Sequence, residues 1–286
     1  MRGLAEYVMR GRREALLVSV VATVVPMFFW LGAAVVGLVT LRKGPREGAL
    51  VMLWALLPAA VAAWFGEIMP AATLLGLMLA AWVLRVTVSW PWALCSADSL
   101  GLLLGGGLIT VGRGYLANVE QLFAELMKGI AGQATVDAPV HAMLKAPTAG
   151  DIAGMFGLIL AVTVVLALIV ARWWQAMLYN AGGFRTEFHA LRLDRRQVLG
   201  LLLLAFGFAA LGEGFRLWVW VPLVPLAFAG IGLVHALVAA RGLGAWLGFF
   251  YAALLLFAPL KQFLVVLAAV DGWIDIRGWA ARKPGA

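Results

Sequence analysis

The run DIAGMFGLILAVTVVLALIVA at 151–171, followed at once by RWWQAMLYNAGGFRTEFHALRL at 172–193, decides how the chain reads. Between Asp151 and Arg172 there is no charged residue. A helix that crosses the hydrocarbon core of a bilayer needs about 20 predominantly apolar residues, and this run supplies them. The segment after it turns aromatic and basic. Trp173, Trp174 and Tyr179 suit the membrane–water boundary, where amphipathic rings settle.

Working outward, seven further apolar stretches lie at 15–41, 48–65, 71–89, 92–112, 197–212, 217–240 and 244–270. The spacers are mostly short, which suits antiparallel neighbours. Of the 286 residues, 64% are hydrophobic and 13% are charged, against about a quarter charged in soluble domains. A disordered chain would be polar and highly charged. A soluble domain of this length could not hide so much apolar surface. The expected architecture is therefore an all-α polytopic helical membrane bundle with about eight hydrophobic stretches. Residues 1–286 form one integral membrane domain, because neither long spacer, 113–150 nor 172–196, could hold a soluble domain. Arg10, Arg12 and Arg13 precede a 27-residue apolar run, longer than the ~7–15 residues of a signal-peptide core, so the first stretch reads as uncleaved.

The 22 Lys and Arg residues outnumber the 14 Asp and Glu, and their placement carries topological information, because cytoplasmic loops hold the basic excess. With eight single crossings and the N-terminus inside, the basic residues divide 11 to 10, with Lys261 left out of the count. If Pro26 breaks the first stretch into two arms that return to one side, the division becomes 14 to 7. A second break at Pro259 makes it 17 to 4. Proline removes a helix hydrogen bond and clashes with the preceding turn, so one or two broken helices have a mechanism; a simple proline kink is the plainer alternative. The broken-helix reading puts the N-terminus and 172–196 in the cytoplasm and turns 113–150 outward. The membrane is expected to be the bacterial cytoplasmic (inner) membrane.

Within 114–131, Tyr115, Leu116, Val119, Leu122, Phe123, Leu126, Met127 and Ile130 recur at helical spacing, which predicts an amphipathic helix. It either packs at the interface or covers a cavity as a lid. Pro139 and Pro147 mark an irregular return to the next span. In 172–196, Asn180 to Gly183 suit a turn, and Phe184 and Phe188 share a face of a short helix. The partner-docking candidates are Trp173, Trp174, Asn180, Phe184, Arg185, Glu187, Phe188 and Arg192; the plainer reading is an anchoring loop.

Charges inside spans are costly and suggest pairing or function. Arg85, Trp90, Trp92, Asp98 and Lys261 are the ligand-binding candidates if they gather around a polar cavity. Pairing and snorkelling near helix ends is the competing account. Gly101/Gly105 and Gly244/Gly248 allow close helix approach, either within the chain or between copies as a homo-oligomer.

Several chemistries lack their motifs. His141, His189 and His235 show no metal-binding spacing, and the single Cys95 excludes an intrachain disulfide or cysteine cluster. There is no GxxxxGK[ST] phosphate loop and no GxSxG elbow. No catalytic residue, metal site or cofactor is expected, and the scattered basic charge implies no nucleic acid. Asp271 and Asp275 share a helix face, as helix caps or as a weak cation site with lipid phosphate.

The run at 172–193 and the closing run PLKQFLVVLAAVDGWIDIR at 259–277, together with the order of apolar stretches, resemble the YybS-like family of uncharacterised bacterial inner-membrane proteins. That family's turn often reads Asn-Pro-Gly-Gly, where this chain has Asn180-Ala181-Gly182-Gly183. The family is distantly similar to the substrate-binding membrane subunits of energy-coupling-factor transporters. The resemblance implies a small-molecule binding or transport subunit served by separate coupling and ATPase subunits. A non-enzymatic scaffold or assembly factor docking a partner through 172–196 is the alternative, and an intramembrane enzyme acting on lipid ranks last. Membrane lipid is the expected partner in every case.

Overall fold

The computed structural model describes residues 1–133 and 147–281. Fourteen α-helices make up nearly all of it, and no strand occurs among the described residues. In chain order they are α1 (Arg2–Arg10), α2 (Arg12–Val24), α3 (Phe29–Lys43), α4 (Pro45–Trp64), α5 (Met69–Thr87), α6 (Trp90–Thr110), α7 (Arg113–Gln133), α8 (Ala149–Tyr179), α9 (Gly183–Ala190), α10 (Arg195–Ala210), α11 (Val224–Ala240), α12 (Trp246–Leu256), α13 (Pro259–Ile274) and α14 (Ile276–Ala281). A single 3-10 turn at Trp218–Trp220 precedes α11.

Proline starts many of these helices. Pro45, Pro70, Pro91, Pro225 and Pro259 sit in first turns, where a missing N–H costs nothing. Helix α8 opens on a capping box: the Thr148 hydroxyl accepts the Asp151 N–H at 3.2 Å, and the Asp151 carboxylate accepts the Thr148 N–H at 3.2 Å. At 31 residues it is about 46 Å long, longer than a hydrocarbon core.

Four helices are long and apolar enough to cross a membrane: α4, α5, α6 and α8. Taking α12 and α13 together as one broken span raises this to five. The expectation of about eight spans is not matched by the described helices, and proline is the main reason. The first stretch stops at Val24 and restarts at Phe29 around Pro26. The seventh begins with turns around Pro222, leaving a 17-residue α11. The eighth bends by 116° before Pro259. Helix α10, in the sixth stretch, has 16 residues. The apolar helices, with Leu53, Trp54, Leu57 and Val61 exposed along α4, make this an integral membrane protein.

The break at Pro26 forms a hairpin. Ser19 on α2 donates to the Gly32 carbonyl on α3 at 3.0 Å, and Thr23 donates to the Ser19 carbonyl at 2.8 Å. A Cβ on Gly32 would lie 2.7 Å from the Thr23 hydroxyl, so only glycine lets the two arms touch. Helix α8 is the centre of the bundle, packed against α3, α5 and α6. Its crossing with α6 is the tightest contact. A Cβ at Gly101 would stand 2.5 Å from the Gly157 carbonyl oxygen, and one at Gly157 would stand 2.6 Å from that of Gly101. The Gly101/Gly105 pair therefore serves packing inside the chain, while Gly244 and Gly248 have open space around them.

The amphipathic helix expected at 114–131 is α7. Leu116 is buried, and Tyr115, Val119 and Phe123 pack with Ile68, Phe156 and Trp218. The return segment containing Pro139 and His141 lies outside the described residues.

Candidate functional site

The ends of α8 define two ends of the bundle. Gly150, Gly214 and α7 gather at its start, where Trp218 donates to the Gly150 carbonyl at 2.8 Å and Tyr115 donates to the Gly66 carbonyl at 3.0 Å. At the other end meet α3's last turn, the α5–α6 corner, the 172–193 segment and the C-terminal helices. Arg12 pairs there with Glu47 at 2.6 Å. The hairpin at Pro26 thus brings residues 12 and 47 to one end.

A cavity of about 370 Å³ opens at this arginine-rich end, lined by Leu41, Leu84, Arg85, Val88, Arg172, Gln175 and Glu187. The polar groups form a chain. Arg172 donates through Nε to Glu187 at 2.9 Å and through Nη2 to the same carboxylate, a bidentate pair. Its Nη1 donates to Gln175 Oε1 at 2.8 Å. Gln175 Nε2 donates to the Leu41 carbonyl at 3.2 Å, and Arg85 Nη1 donates to that carbonyl as well. Leu41 lies in the last turn of α3, whose carbonyls have no partner within the helix; Arg85 and Gln175 cap it. Behind Glu187, Trp90 donates its indole N–H at 3.2 Å. Val88, on the cavity wall, has φ 51° and ψ 28°, a strained backbone for a β-branched residue.

The five ligand candidates do not converge. Arg85 and Trp90 join this cluster through Leu41 and Glu187. Trp92 is 55% exposed on the outside of α6. Asp98 is buried two turns along α6, and its Oδ1 has no hydrogen-bond partner. Lys261 is exposed on the first turn of α13.

The eight docking candidates divide as well. Trp174 and Phe188 are buried. Phe184 stacks on Phe188 at 5.6 Å and meets Trp90 edge-on. Glu187 is held by Arg172 and Trp90, and Arg192 is bound to the C-terminal helices. Trp173, Asn180 and Arg185 are exposed. The expected turn is present, with Gly182 at φ 87° and the Asn180 carbonyl accepting the Gly183 N–H at 2.9 Å.

A second polar cluster joins 189–195 to 271–277. Arg192 donates to the Asp271 carbonyl at 2.8 Å and stands 3.5 Å from Asp275. Arg277 stands 3.3 Å from the buried Asp271 carboxylate and donates to the carbonyls of His189, at 2.7 Å, and Ala229, at 3.2 Å. Burial lowers the Arg277 pKa despite the neighbouring Asp271. It also lowers that of His189, and Arg185 and Arg277 add to the effect. Asp271 Oδ1 accepts the Ile276 N–H at 2.9 Å, and Asp275 Oδ1 accepts the Gly278 N–H at 3.1 Å. The two aspartates are thus caps and ion-pair partners, and no cluster of three or more metal-ligating side chains occurs among the described residues. Asp271 and Asp275 were legible as caps; the pairing with Arg192, about 80 positions away, carried no sequence signal.

Comparison with protein-family models, curated proteins and solved structures finds no match for this chain. The functional reading therefore rests on the site itself.

Proposed function

We propose that this integral membrane protein is a small-molecule binding subunit of a bacterial cytoplasmic-membrane transport system. Its ligand site is the cavity between α3, α5, α8 and α9, and that end of the bundle faces the cytoplasm together with the N-terminus. The observation that carries the proposal is the cavity's make-up: about 370 Å³ lined by two arginines, a glutamine and a glutamate beside Leu41, Leu84 and Val88. Concave sites with a few converging polar groups on an apolar wall are where small ligands bind. The strained Val88 belongs to the same wall, and strain of this kind clusters at ligand sites. The gathering of Arg12, Arg42, Arg85, Arg172, Arg192 and Arg277 at this end supports the cytoplasmic assignment. With no phosphate loop in the sequence, energy for transport would come from a separate ATPase through a coupling subunit, as in the family that the sequence resembles.

Native mass spectrometry of the full chain, purified from its own membrane, tests the binding reading. A co-purifying non-protein species is expected in the wild type and is expected to be lost in Val88→Trp, which fills the cavity from its exposed rim. Equal occupancy in both proteins, or none in either, overturns the proposal.

A second reading is favoured by the exposure of Trp173, Asn180 and Arg185 at the same end: a scaffold that docks a protein partner there. Triple substitution of these three residues would abolish partner recovery under that reading and leave cavity occupancy unchanged under the first.

A further inference from the structure

We infer that the ligand of this cavity carries a phosphate group and that Arg85 is its principal contact. This rests on the binding proposal above and adds the ligand's chemical class. The sign of the cavity follows from pairing. Arg172 and Glu187 neutralise each other in a bidentate contact, and Trp90 takes a further position on the same carboxylate. Arg85 has no carboxylate partner among the described residues; it gives one N–H to the Leu41 carbonyl. A guanidinium has five donors in a fixed fork that matches phosphate oxygens, so most of the donors of Arg85 remain for a ligand. The site therefore presents one uncompensated positive charge with a planar donor fork at its mouth.

The depth of the cavity points the same way. Trp82, Trp92 and Trp173, on α5, α6 and α8, are exposed near this end, and a group of tryptophans near one end of the spans suits the headgroup level, where Trp is enriched. Leu41, Leu84 and Val88 offer an apolar wall beside Arg85 for the carbon part of the ligand. Two sources share this chemistry: the headgroup of an anionic phospholipid, and a water-soluble phosphate ester reaching the site from the aqueous side.

The test uses the full chain in lipid-depleted maltoside detergent, with thermal stability titrated against sn-glycerol 3-phosphate, short-chain phosphatidylglycerol, and diacylglycerol of the same chain length, which lacks the phosphate. One or both phosphate probes are expected to raise the melting temperature, and diacylglycerol is not. A response to glycerol phosphate assigns a soluble ligand, and a response to phosphatidylglycerol alone assigns lipid. Arg85→Gln should weaken apparent affinity about tenfold or more, the usual loss for a charged hydrogen bond; Gln175 still caps the Leu41 carbonyl in that variant. Val88→Trp should remove the response without touching a polar group, and Arg113→Gln, at the opposite end, should keep it. A phosphate response unchanged in either Arg85→Gln or Val88→Trp, or no response to either phosphate probe, overturns the inference. If native mass spectrometry then finds a bound molecule without phosphorus, the binding proposal stands and only its chemistry is wrong. If it finds none, both fall.

Discussion

Between Phe29 and Tyr179, helices α3, α5, α6 and α8 meet through small residues and closely fitted apolar side chains; Gly101 and Gly157 bring two backbones into contact, and Leu74, Leu77, Leu94 and Leu168 are fully buried. From Arg195 to Ala281 the chain is held differently. Its helices are shorter, α12 buries no residue at all, and, beside the packing of Trp218 on Gly105 and Gly154, it is tied to the preceding segment by the arginine contacts around Asp271. Lipid tails are as apolar as leucine, so helices inside a membrane associate through close packing and polar contacts rather than through the hydrophobic effect. The central bundle uses the first means and the C-terminal part relies heavily on the second. A packed contact fails when it is overfilled, and a polar anchor fails when one partner is removed. The cavity lies at the edge of the rigid part, where α9 carries Glu187 in against it.

The largest effect is expected from overfilling. Gly101→Leu has no room against the Gly157 carbonyl and should cost about 3 kcal/mol or more, read as loss of the monodisperse folded protein in detergent. Gly106→Ala on the same helix, with open space around it, should stay within about 0.5 kcal/mol of the wild type. Equal behaviour of the two would end the distinction drawn for the centre.

Next comes removal of a polar anchor. Arg277→Met deprives the buried Asp271 carboxylate of its nearest cation and should loosen α13 and α14 by about 3 kcal/mol. Limited proteolysis should release the C-terminal helices while the thermal transition of the central bundle stays in place. Simultaneous loss of both would show that the two regions are one cooperative unit.

A smaller change of opposite sign is expected at Asp98. Its Oδ1 is buried without a partner, and removing such a group recovers part of its desolvation cost. Asp98→Ala should therefore raise stability by up to about 1 kcal/mol. A clear destabilisation in thermal unfolding would mean that the carboxyl has a partner in the working protein.

The smallest effect is a pH dependence confined to the C-terminal anchor. The native His189 pKa lies below its ordinary value because of burial and the charges of Arg185 and Arg277. The unfolded imidazole then binds protons first as pH falls. The stabilisation is complete above about pH 6.5 and is lost as pH drops through the lowered native value. Proteolytic release of the C-terminal helices should therefore quicken as pH falls below about 6.5, and His189→Gln should flatten that response.

Particular residues show which properties were legible in the sequence. The apolar run 151–171 predicts α8, and Pro26 and Pro259 mark both breaks, because chain length and a missing N–H act locally. The i, i+3/i+4 pattern of Tyr115 to Phe123 gives α7 its buried face for the same reason. Arg12, Arg85 and Arg172 stand at one end of the bundle.

The count of long spans was less legible, since hydropathy does not register that Pro222 and neighbouring turns shorten α11. The site was the least legible part. Arg85, Arg172, Gln175 and Glu187 come from three helices, and their meeting depends on how α5 and α9 pack against α8. Lys261 and Trp92 have the same chemistry on paper as the residues at the site, yet they face outward. By itself the sequence determined a helical membrane protein and the breaks at Pro26 and Pro259. Only the tertiary structure decided which charges meet, because helices that are apolar on nearly every face do not specify which face will touch a neighbour until close packing selects it.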